Sequence, residues 1–207
     1  MTTDFKNRYL LNCVQHTNTS DEPYTPLSST QNKSKYNNSY FDTAISPKAQ
    51  VESTLERVAS WFLNKESMSN KKLQKLCYYA YCWYIVFFND AETTSKSSER
   101  NMQVLCEDRF QAWIHGPVSP RLYHRYKAYG WHSIPKVETK PIIAPEIEDL
   151  LKQVWEAYGA FNADELEALS HQEAPWKNAR KDVRYGEACS NEISNYDILQ
   201  YYASLGA

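Results

Sequence analysis

From Pro47 onward, apolar residues recur at helical intervals. Val51, Leu55, Val58, Trp61 and Phe62 share one face, which predicts a first helix. Met68 and Leu73 stand at the N′ and N4 positions around a Ser69 cap, a hydrophobic staple that starts a second helix. Leu73, Leu76, Cys77, Ala80, Tyr81 and Ile85 carry it forward, and Asn89-Asp90 ends it. Aromatic residues extend around more than one of its faces, as expected of a central helix. Residues 89–103 are polar and predict an exposed loop or insertion. Phe110, Ala112 and Ile114 alternate with Gln111 and Trp113, so at most a small β-hairpin is expected near residues 104–115, broken at His115-Gly116-Pro117.

Ser119 and Pro120 form a cap followed by proline at the first helical position. Leu122, Tyr123, Tyr126 and Tyr129 follow at helical spacing up to Gly130. Pro145 opens another helix, with Ile147, Leu150, Leu151, Val154, Trp155 and Tyr158 on one side and Gly159 at its end. Asn162 and Glu165 make a capping box, stapled by Phe161 and Leu166, for a short helix through Ser170. Ser194 caps the last helix, stapled by Ile193 and Ile198. The expectation is a mainly α domain of about six helices over residues 49–207. Residues 1–48 differ: Ser, Thr, Asn and Gln fill nearly half the positions and apolar residues show no period. Such a stretch buries too little surface to offset its ordering entropy, which predicts a disordered arm.

Composition narrows the function. A formal net charge of -2 and a pI near 6.2 exclude a strongly basic coat for nucleic acid. The longest apolar stretch, Cys77 to Phe88, is too short for a membrane helix. No apolar segment follows Met1, so no signal peptide is expected. Cys13, Cys77, Cys82, Cys106 and Cys189 are odd in number and irregular in spacing, which argues for free thiols and the cytoplasm. Five glycines in the whole chain weigh against phosphate-cradling folds.

Catalytic signatures are missing. No glycine-rich nucleotide loop, serine-hydrolase elbow or His-Glu-x-x-His is present, so no cofactor or metal is expected. His171-Gln172-Glu173 begins like a zinc deaminase motif, but Trp176 stands where its first cysteine belongs. Cys77 and Cys82, five apart on a helix, point in different directions and read as buried small hydrophobes. Charge is more telling. Residues 145–173 carry Glu146, Glu148, Asp149, Glu156, Asp164, Glu165, Glu167 and Glu173 against Lys152 alone. Arg121 and Arg125, one turn apart, and the Lys71, Lys72 and Lys75 cluster are basic. The split has two readings: orientation of a charged partner, or faces that pair within the fold. On the first, Arg121, Arg125, Lys71 and Lys75 are the candidate partner-binding residues. The sixteen tyrosines and six tryptophans add interface-forming side chains.

Three stretches carry a family pattern. They are Leu73-Gln74-Lys75-Leu76-Cys77-Tyr78-Tyr79; Ala112-Trp113-x-x-Gly116-Pro117-Val118-x-Pro120-x-x-Tyr123; and Leu169-Ser170-His171-Gln172-Glu173-x-Pro175-Trp176. Together they resemble the Panacea domain, the SocA-like antitoxin family, also described as phage-associated GepA-like proteins. The resemblance spans roughly residues 50–205 and is silent on the N-terminal arm. It implies an antitoxin, and no enzyme, that neutralises a cognate protein toxin by direct contact. The alternative it implies is an adaptor that delivers the toxin to the ClpXP protease. A hydrolase using His115 or His171 with Glu173, or a nucleic-acid binder through Arg121, Arg125 and Lys71–Lys75, are weaker readings of the same residues. The family-motif positions are Gln74, Trp113, Gly116, Pro117, Pro120, Tyr123, Pro175 and Trp176, joined by His115 inside the second stretch. On this view most of them hold the fold together, and the toxin docks elsewhere. Oligomeric state is open.

Overall fold

A computed structural model describes residues 53–184 and 186–205. The polar arm expected over residues 1–48 lies outside these, as does Val51. Seven α-helices are present among the described residues: α1 (Thr54–Leu63), α2 (Asn70–Phe88), α3 (Pro120–Tyr126), α4 (Pro145–Tyr158), α5 (Ala163–Gln172), α6 (Ala174–Ala179) and α7 (Asn195–Ser204). Two antiparallel strand pairs accompany them: β1 (Met68–Ser69) with β4 (Ser133–Ile134), and β2 (Gln111–Trp113) with β3 (Gly116–Val118).

The central helix is α2. Every residue from Leu73 to Trp83 is buried, because α1, α4, α5, α7 and the β2–β3 hairpin surround it. Tyr78, Tyr79 and Tyr81 are therefore core residues. Tyr79 stacks on Tyr158 at 4.0 Å between ring centroids. Tyr81 donates its hydroxyl to Asn195 at 2.9 Å, and the Trp83 indole donates to the Tyr158 hydroxyl at 3.2 Å. Tyr81 and Trp83 thus keep partners for their polar tips, whereas the buried Tyr78 hydroxyl has none among the described residues. Among the described residues, Tyr78, Tyr79, Tyr81, Tyr126, Tyr158 and Tyr202 are buried, so part of the tyrosine surplus that the sequence offers as interface material is used in the interior.

Most helix starts follow the expected caps. Ser69 accepts from Lys72 N–H, Ser119 from Leu122 N–H and Ser194 from Asp197 N–H. Asn162 and Glu165 close their reciprocal box, and Ser53 with Glu56 makes another ahead of α1.

Three features depart from expectation. The hairpin lies over residues 111–118, so His115-Gly116-Pro117 is its turn and return strand and not its end. Phe110 and Ala112 are buried as the alternation predicts, but Ile114 sits in the turn and is 39% exposed. The polar segment 89–103 includes a 3-10 helix, Lys96–Asn101. Glu99 on it accepts from Asn195 N–H at 2.6 Å and from the Ser194 hydroxyl at 3.0 Å, clamping the start of α7. Finally, α6 adds a short helix directly after α5, opened by Glu173 and Pro175.

Candidate functional site

The three family-motif stretches meet where the β2–β3 hairpin lies between α2, α5 and α6. Gln74 accepts from Ser119 N–H at 3.0 Å through its Oε1, and the next residue, Lys75, donates to the Pro117 carbonyl at 3.1 Å. Pro117 has no N–H to offer a ladder, so its carbonyl is the group that needs a partner here. From the other side, the Trp176 indole donates to the Trp113 carbonyl at 3.0 Å, and Arg180 donates to the Ala112 carbonyl at 2.8 Å. Two consecutive α2 residues and two α6-side residues therefore fasten opposite strands of one hairpin.

Gly116 is the tightest point. Its φ is +89°, and a Cβ there would lie 2.6 Å from Lys75 Cε and 2.8 Å from Ser170 Oγ. Pro175 is buried in the first turn of α6. Just before it, Glu173 accepts from the Tyr79 hydroxyl at 3.1 Å and from the Tyr202 hydroxyl at 2.7 Å. His171 stacks on Trp176 at 4.0 Å.

Burial sets the electrostatics. Lys75 is 1% exposed, and burial lowers its ammonium to a pKa of about 7 against the pull of Glu167. Glu173 is driven up to about 7 by burial, with the Tyr202 and Tyr79 hydroxyls opposing. Burial brings His171 down to about 4. Nearer solvent, Lys71 holds Asp164 at 2.6 Å and also Glu167, which meets His115 Nδ1 at 3.0 Å. For Glu167, burial is outweighed by the hydrogen bonds from Lys71 and His115, and its pKa falls.

These placements correct the sequence expectations in several respects. Lys75, grouped by charge with Lys71 as a partner-binding candidate, is an interior strut whose ammonium no partner can reach. Lys71 remains near the surface, bound to two carboxylates of α5. Arg121 and Arg125 stand away from the hairpin, 3.5 Å and 3.6 Å from the buried Glu56 of α1. Much of the apparent charge split is thus paired between elements. His115 bonds Glu167, His171 stacks on Trp176 within electrostatic reach of Glu167 and His115, and Glu173 accepts from two tyrosines. Among the described residues no group of three or more His, Cys, Asp or Glu side chains can hold a metal ion.

Only part of the motif reaches the surface. Trp113 is half-buried, donates to Gln111 Oε1 at 2.8 Å and meets Tyr123 edge-on at 5.0 Å. Tyr123 itself is 36% exposed. Beside them an open depression of about 360 Å³ is lined by Trp113, Ile114, Ala188, Cys189 and Ser190. The sequence reads Tyr202 only as an inward residue of the last helix and Glu167 only as one of eight acids, and it does not single out Ser170 or Arg180; their roles arise from contacts that the fold creates. Ser170 lies inside the third motif stretch, which is the one signal that points toward it.

The sequence model of one family, described as antitoxin SocA-like, Panacea domain, matches residues 73–177. No curated protein and no solved structure matches the chain. The matched span begins at Leu73 in α2, just before the Gln74 and Lys75 struts, and ends at Lys177, just past Trp176. It thus takes in the hairpin and its Gln74, Lys75 and Trp176 struts, with Arg180 just beyond it, and on that match the chain belongs to the SocA-like antitoxin family with a Panacea domain.

Proposed function

We propose that this protein neutralises a cognate protein toxin by binding it directly, with no chemistry of its own. Membership of the SocA-like antitoxin family is the observation that carries this reading. The junction supports it: the motif side chains are engaged in holding the hairpin, which leaves outer surfaces for a partner. No helix among the described residues is long and apolar enough to cross a membrane. Cys77, Cys82, Cys106 and Cys189 are buried free thiols, in keeping with a reducing compartment.

Co-expression tests the reading. The product of the adjoining reading frame should arrest growth, and this chain should restore it and co-purify with that product. Rescue that persists in cells lacking ClpX supports direct neutralisation; rescue that vanishes there, with the toxin accumulating, assigns the adaptor role instead. A neighbour that never arrests growth removes the antitoxin reading altogether.

Arg121 and Arg125 remain proposed contact residues, and Glu56 dictates how to test them. Reversing both charges would crowd three carboxylates together, one of them buried, so glutamine is the better substitution. Arg121→Gln with Arg125→Gln should weaken toxin capture by roughly tenfold, and it should also lower stability because the buried Glu56 loses both cations, so capture is compared well below the variant's melting temperature. Capture equal to wild type in a titration would remove this pair from the interface.

A further inference from the structure

Trp131 is 85% exposed, yet the chain around it is held firmly. Gly130 N–H donates to the Lys127 carbonyl at 3.0 Å, and His132 N–H to the Tyr129 carbonyl at 2.9 Å, two successive turns. Immediately afterwards β4 pairs with β1, burying Ile134. Val137 N–H then donates to the Leu63 carbonyl at 3.1 Å, and Asn64 donates to the Val137 carbonyl at 2.8 Å. Gly130 has φ 55° and ψ -120°, with nothing within 4 Å of a built Cβ. Glycine is needed there for the backbone conformation and not for room. The indole is braced by the His132 ring at 3.9 Å. A fastened turn thus presents one of the largest apolar side chains to water, and its ordering cost is met before any partner arrives.

Charge along this stretch of chain is one-sided. Between residues 120 and 142 the cations are Arg121, Arg125, Lys127, Lys136 and Lys140, and the one acid is Glu138. Glu56 answers the two arginines and Glu148 answers Lys140. Lys127 and Lys136, exposed on either side of Trp131 in the chain, make no ion pair within 4.0 Å among the described residues. The geometry points to Trp131, with Lys127 and Lys136, as the anchor that docks an acidic protein surface. The indole enters an apolar cleft, and carboxylates at its rim meet the two ammonium groups. Tryptophan in such a setting is the residue type that dominates interface energies. Nucleic acid fits less well, since two lysines do not track a phosphate backbone. This inference rests on the reading of the chain as a toxin-binding protein.

The test uses the full chain and the purified product of the adjoining reading frame. Trp131→Ala should weaken binding by about 30-fold, equivalent to about 2 kcal/mol. Its melting temperature should match wild type, because the side chain is exposed. Lys127→Gln with Lys136→Gln should slow association and reduce its salt dependence, and an unchanged salt dependence overturns the inference. Near-wild-type affinity of Trp131→Ala overturns the inference while leaving the antitoxin reading intact. Absence of binding by the wild-type chain removes both. Binding of single-stranded DNA or RNA that is lost on Trp131→Ala overturns the inference in favour of a nucleic-acid partner.

Discussion

Gly116→Ala should cost the protein about 2–5 kcal/mol of stability. Two penalties combine. The backbone at φ +89° is strained for any residue with a Cβ, and that Cβ would overlap Lys75 Cε at 2.6 Å and Ser170 Oγ at 2.8 Å. Neither neighbour yields cheaply. Lys75 is buried and donates to the Pro117 carbonyl; Ser170 is buried and donates to the Glu167 carbonyl at 2.9 Å. Gly186→Ala is the internal control. Gly186 has φ +83° with nothing within 4 Å of a built Cβ, so it carries the backbone penalty alone. Urea unfolding of both variants should show a markedly larger loss at Gly116. Equal losses would mean that the hairpin is free to shift away from α2, and the junction would not be the rigid structure described above.

The second large effect is a stability minimum near neutral pH. Glu173 has its folded pKa raised by burial from 4.5 to about 7, so the folded state holds a proton that the unfolded chain has released. Its contribution is complete below the unfolded value and is lost as pH rises through about 7. Lys75 runs the other way. Burial lowers it from 10.5 to about 7, so its contribution is complete above the unfolded value and is lost as pH falls through about 7. Together the two give a trough around neutrality. Each limb is on the order of a few kcal/mol, since a tenfold change in proton affinity corresponds to about 1.4 kcal/mol. Urea denaturation at about pH 5, 7 and 9 measures it. Glu173→Gln should flatten the acid limb and Lys75→Met the alkaline one. Limbs that survive both substitutions would assign the trough to other groups.

Local signals carried much of the helical framework. Ser69, Ser119, Asn162 and Ser194 cap the helices that their spacing to the following residues predicts, because a cap is satisfied within one turn of chain. The short strands were harder to read. Met68–Ser69 and Ser133–Ile134 are two residues each, too brief for alternation to register, and their pairing joins segments more than sixty residues apart. Helix α6 is a single compact turn region whose best signal, Pro175, also belongs to the family motif.

The chemistry of the junction shows the same division. That Gln74, Gly116, Pro117 and Trp176 belong together is visible as a motif, but the motif does not say what they do. Lys75 and Lys71 are near neighbours in a basic cluster, yet one is sealed in the interior and the other lies against α5. A lysine's role depends on what surrounds it, and on a helix enclosed by five elements the four-residue interval between these two lysines does not distinguish a strut from a surface cation. Trp131 makes the converse case: a tryptophan in a sequence is ordinarily assigned to a core, and only the fold leaves it outside.

Helical periodicity, most of the caps and the family were legible in the order of residues alone, since each depends on positions within a few turns of one another or on a fixed succession of motifs. Which charges are paired, which polar groups are buried and which aromatic side chains meet water became visible only once the chain was folded. Those properties depend on the dielectric and the neighbours that distant segments bring to a residue, and spacing along the chain does not encode them.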